Sequence, residues 1–155
     1  LAWIGLLAWL WPLGLFMLAT LRQRQHLRRG AAAALASALL GYVLVLFSGA
    51  LHSLGLQAPR LSVALFFLVF LLPLVTGAVS YLLPLWWQPG ADNTWTTHAR
   101  AGLARGSLAR ALIFPACGVL LLAGAGWAVY PAVATLAVFI GQIAWTVLRM
   151  RRRRA

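Results

Sequence analysis

Apolar residues along this chain come in long unbroken runs separated by short arginine-bearing stretches, with neither the alternation of a half-buried strand nor the narrow stripe of a soluble amphipathic helix. A bilayer core about 30 Å thick is crossed by about 20 apolar residues in a helix, because each backbone N–H and C=O must be satisfied inside the segment. Five stretches meet that length, at approximately 2–21, 31–52, 61–84, 108–126 and 128–148. The last two are separated by "AGAGWAVYP", where Gly124, Gly126 and Pro131 punctuate an otherwise uncharged run too long for one ordinary span. A single long, tilted helix is the alternative there. A transmembrane β-barrel does not fit, because a polar lumen demands period-two alternation.

Composition supports the same medium. At 63% hydrophobic and 9% charged, the 155 residues cannot supply a polar shell for a soluble domain. The expected fold class is therefore all-α, an integral membrane bundle forming a single domain. Because the apolar run is already under way at Leu1, the chain is expected to be a part, the C-terminal one, of a longer protein. The first run also lacks the basic n-region and cleavage site of a signal peptide.

Charge then orients the bundle. Arg22, Arg24, Arg28 and Arg29 follow the first run, Arg100, Arg105 and Arg110 lie between the third and fourth, and Arg149 and Arg151 to Arg154 form the tail. These account for twelve of the thirteen arginines and fall on alternate connections, which puts the N-terminus outside and the C-terminus inside by the positive-inside rule. Only Arg60 falls on the other face. The net charge of +12 does not indicate a nucleic-acid partner, because the arginines form no basic face interleaved with exposed aromatics. Arg149, Arg151, Arg152, Arg153 and Arg154 instead form a juxtamembrane cluster suited to anionic lipid headgroups, or to plain anchoring of the topology. All-arginine basicity with abundant Ala and Leu points to a bacterial inner membrane.

Residue inventory excludes most chemistry. There is no Glu and no Lys, and the one acidic residue, Asp92, lies outside the apolar runs. Proton- or sodium-coupled carriage, two-carboxylate hydrolysis, a carboxylate-held magnesium and an HExxH zinc site each need acidic groups the chain lacks. His26 and His98 fall in connections, and His52 stands alone at a helix end, four residues after Ser48 but with no acid to orient it. Cys117 reads as a buried structural thiol. No catalytic residue, metal ligand or cofactor is assigned.

Polar side chains at depth are few: Ser37, Tyr42, Thr76, Ser80, Tyr81, Gln142 and Thr146. Most are expected to bond a neighbouring helix or their own i−4 carbonyl. A small polar cavity, if the bundle holds one, is expected around Thr76, Gly77, Ser80, Tyr81 and Gln142. Close helix approach is expected at Ser37 with Gly41, Thr76 with Ser80, and Ala137 with Gly141. Pro12, Pro73 and Pro115 are expected to perturb their helices.

The stretch "SYLLPLWWQPGADNTWTTHAR", residues 80–100, reads as a helix exit. Trp86 and Trp87 follow a run ending at Pro84, at headgroup depth, and Trp127 and Tyr130 do the same at the opposite hairpin. After the turn "QPGAD", Asn93 or Thr94 can cap a short interfacial helix carrying Trp95, Ala99 and Leu103 on one side. The run "FFLVFLLPLVTGAVSYLLPLW", residues 66–86, resembles a segment of NnrS-like and haem–copper-oxidase-subunit-I-like bacterial membrane proteins. Members carry histidines near this position, where Ser80 and Tyr81 stand here, so no ligand is carried over. The resemblance implies a many-span bacterial protein linked to respiratory or nitric-oxide metabolism. The function expected is a non-enzymatic accessory or structural component, in contact with lipid and with other membrane subunits or itself; an uncoupled transporter or channel is the alternative.

Overall fold

The computed structural model describes residues 2–22, 32–55, 59–87 and 94–152. Every regular element in them is helical. In order, they are α1 (Ala2–Arg22), α2 (Ala32–Ser53), α3 (Pro59–Leu65), a π-helical segment (Phe66–Leu71), α4 (Leu72–Trp87), α5 (Thr94–Ala104), α6 (Ser107–Leu122), a 3₁₀ turn (Gly126–Ala128) and α7 (Val129–Arg152). Helices thus occupy the places that the apolar runs predict. Four stretches are long and apolar enough to cross a bilayer: Ala33–Ser53, Arg60–Trp87, Thr96–Leu122 and Gly126–Arg149.

The hairpin between α6 and α7 forms where glycine permits it. Gly124 adopts a φ of 85°, and Pro131 sits in the first turn of α7, where its missing N–H would have no intrahelical partner. This turn excludes the single long helix. Beneath it, Phe114 and Cys117 of α6 pack with Ala128 and Ala132 in a buried cluster, joined by Leu68 and Leu72.

The third run is one winding from Pro59 to Trp87 with a change of pitch inside it. Leu65, Val69 and Pro73 are all buried at intervals of four. Four residues overshoot an α-helical turn by about 40°. The wider π winding, in which the Leu72 N–H donates to the Phe67 carbonyl, keeps the three on one line. Pro73 cannot donate to the Val69 carbonyl, which removes the bond that would hold this stretch at α-helical pitch. Pro84 differs from expectation: the helix does not end there but continues to Trp87, with Pro84 itself buried against the bundle.

Val69 is the node where three helices meet. A Cβ added to Gly41 on α2 would overlap the Val69 carbonyl, and one added to Gly118 on α6 would overlap its Cγ2 methyl. In a bilayer, close approach of this kind would replace the hydrophobic drive that lipid cannot supply. One turn away, Ser37 Oγ donates to the Ala111 carbonyl at 2.8 Å, so the Ser37 and Gly41 pair does join helices. The Ala137 and Gly141 pair does not. Both are exposed on α7, and nothing lies within 4 Å of a Cβ placed on Gly141. The expectation failed because, among the described residues, α7 packs mainly against α5, α6 and the hairpin turn.

Candidate functional site: a buried guanidinium

Between α6 and its neighbours, one end of the bundle encloses Arg110, which is 3% exposed. Charge counting assigns this residue to a water-facing connection, and the structure corrects that. The reason is the packing of α5. Gly106, with a φ of 79°, interrupts the winding between α5 and α6, and α5 lies against α4 and α7, where its last carbonyls meet the Arg110 side chain. Ala99 and Leu103 are buried on α5, the face expected for them; the Trp95 side chain lies outside the described residues.

Helical side chains lean toward the N-terminus of their helix, and Arg110 does so. Its Nη1 donates to the Arg105 carbonyl at 3.3 Å and to Gln142 Oε1 on α7 at 3.2 Å. Its Nη2 donates to the Leu103 carbonyl at 2.9 Å and to Ser80 Oγ on α4 at 3.3 Å. The guanidinium carbon lies 4.3 Å from the centroid of the Phe139 ring, a cation–π contact in a desolvated setting. One side chain therefore ties α4, α5, α6 and α7 together.

The acceptors carry only partial charge. The Leu103 and Arg105 carbonyls belong to the end of α5 and the turn after it, where helix carbonyls lack N–H partners and the dipole is negative. No carboxylate among the described residues faces the group, since the one acidic side chain in the sequence, Asp92, lies outside them. Three buried side-chain atoms among the described residues have no hydrogen-bond partner: Arg110 Nε, Ser107 Oγ and Arg100 Nε. Ser107 is itself 3% exposed and stands at the start of α6, one turn before Arg110.

The residues expected to line a polar cavity divide between several tasks. Ser80 and Gln142 meet at Arg110. The Thr76 hydroxyl donates to the Leu72 carbonyl at 2.8 Å, and Ser80 Oγ donates to the Thr76 carbonyl at 2.7 Å, both back-bonds within α4. Gly77 faces α2, where an added Cβ would stand 3.1 Å from the Ala34 Cβ, so it is a packing position. Tyr81 is 51% exposed, and its ring carries the Arg100 guanidinium at 4.9 Å. Sequence reasoning missed Arg110 and Ser107. The signal was present, because Ser107, Arg110 and Phe114 recur at intervals of three and four, the spacing of one helical face.

Elsewhere, Ser48 Oγ lies 2.9 Å from Ser62 Oγ, so its partner is a hydroxyl on α3. Trp86, Trp127 and Tyr130 are exposed and Trp87 is half-buried, all near helix ends. Arg149 is exposed near the end of α7, whereas the side chains of Arg151, Arg152, Arg153 and Arg154 lie outside the described residues, as do His26 and Asn93. Among the described residues, no three His, Cys, Asp or Glu side chains come together. No protein-family model matches the chain, and no curated protein or solved structure matches it either.

Proposed function

We propose that this chain is a multi-pass membrane protein of five spans that acts as a non-enzymatic component of a larger membrane assembly, through helix packing and lipid contact. The observation that carries the reading is an inverted distribution of polarity. Thr76, Ser80, Thr96, Ser107 and Arg110 are buried, while Trp11, Val63, Leu112, Val138 and Trp145 are each more than half exposed. Water would reverse that arrangement, whereas hydrocarbon favours it. α7 is the extreme case, with only 11% of its most apolar stretch buried, so most of its surface is left to lipid or to another membrane helix.

The arginine pattern supports an outside N-terminus and an inside C-terminus. Withdrawing Arg110 from the second cluster leaves Arg100 and Arg105 there, and the bias keeps its sign. Composition supports a bacterial inner membrane, and the resemblance over residues 66–86 supports a link with respiratory or nitric-oxide metabolism. Reporter fusions in a bacterial host test the reading. Activity of a cytoplasmic reporter is expected both in the 88–93 connection and after Arg154, with the protein retained in the membrane after alkaline extraction. Release by alkali, or reporters on opposite sides, overturns it; solute flux in proteoliposomes replaces it with a channel.

A further inference from the structure

The structure assigns to the start of α6 a role that its packing does not explain: we propose that Ser107, Arg110 and the first-turn amides of α6 bind a small monovalent anion of halide size. Three observations converge. The N-cap of this 16-residue helix is Gly106, which offers no side-chain acceptor, so no side chain caps the first-turn N–H groups. Ser107 Oγ and Arg110 Nε, both on residues 3% exposed, have no hydrogen-bond partner one turn apart on the same helix face. The guanidinium is turned onto that same terminus, with Nη1 3.7 Å from the position a Cβ would take on Gly106. A full positive charge, a helix N-terminus and two idle polar atoms thus lie within one turn of α6, with no carboxylate among the described residues to balance them.

The donors that remain define the ligand. Phosphate and carboxylate groups are usually gripped by two parallel N–H bonds from the guanidinium fork. Here the Nη groups are already committed to Ser80, Leu103, Arg105 and Gln142, and Phe139 covers one face of the plane. Only the Nε edge is left. It suits a compact ion that accepts from one N–H, one hydroxyl and backbone amides, and a single negative charge neutralises the single buried cation. The Arg105–Gly106 turn that precedes the helix is exposed.

The test uses the full chain in nanodiscs of zwitterionic phosphatidylcholine, with gluconate as the background anion and chloride as the probe. Saturable broadening of the ³⁵Cl resonance is expected. Ser107→Ala removes one buried hydroxyl without disturbing the guanidinium, and it is expected to weaken chloride binding about tenfold. Arg110→Gln is expected to abolish it; should that variant fail to fold, Ser107→Ala alone decides. Broadening that does not saturate, or that is equal in wild type and Ser107→Ala, overturns the proposal. So does binding that appears only in Asp92→Asn, which would make Asp92 the occupant, or only with phosphatidylglycerol present, which would make a lipid headgroup the occupant.

Discussion

Arg110 on α6 and Gln142 on α7 are joined by a hydrogen bond of 3.2 Å from guanidinium to side-chain carbonyl, across two helices that the sequence separates by a glycine hairpin. Gln142→Leu leaves that donor without its acceptor on α7, in a place water reaches poorly. Loss of a bond to a buried charged group costs about 1 to 3 kcal/mol, more than the few tenths expected of an exposed polar change. A lowered unfolding midpoint in detergent is therefore the expected outcome, and an unchanged midpoint would show the bond to be idle.

The pair can be isolated from its surroundings by a double-mutant cycle. Arg110→Met with Gln142→Leu should be less destabilised than the sum of the single changes, because removing both partners leaves no orphaned group between them. The coupling should be about 1 kcal/mol or more, and it is read from the four midpoints of the cycle.

Gly41→Ala and Gly118→Ala both push against Val69, but against different atoms. Overpacking of this kind costs about 1 to 3 kcal/mol. Val69→Ala deletes the methyl that opposes Gly118 and leaves the carbonyl that opposes Gly41. It should therefore rescue Gly118→Ala and fail to rescue Gly41→Ala, as read by thermal unfolding of the two double variants. Equal rescue would place the conflict at Gly41 in the side chain.

Cys117 is the single cysteine of the chain and is 3% exposed beneath the hairpin. Maleimide labelling in mild detergent should be slow and should become rapid once dodecyl sulfate opens the cluster around Phe114. Rapid labelling of the folded protein would show that cluster to be loose.

Gly141→Ala on the exposed face of α7 should leave a solitary chain unharmed or slightly more stable, since alanine favours a helix by up to about 1 kcal/mol over glycine. A loss of stability that grows with protein concentration would reveal self-association through this face.

Element positions were legible because they follow from one variable, the length of an apolar run against the thickness of a bilayer. The turn at Gly124 was legible for a similar local reason. Arg110 was not, because the rule that orients a membrane protein treats each arginine as a marker of water. That assumption holds for Arg149, which is exposed, and fails at Arg110, where α4, α5 and α7 supply the acceptors that water would otherwise provide. Ser80 and Gln142 read as polar groups at depth, yet they meet at a third helix whose own polar residue the charge rule assigns to a water-facing connection. Ala137 and Gly141 mislead in the opposite sense: their spacing permits close approach, but spacing does not state which faces find a partner within the chain.

The change of winding at Phe66–Leu71 sets the azimuth of everything beyond it. Excision of one residue there would rotate the C-terminal half by roughly 100° relative to the N-terminal half. Leu65 would keep its seat, while Ser80 would swing away from the guanidinium. A six-residue irregularity thus works as the phase adjuster that lets a single rod address apolar neighbours along one half and a cation along the other.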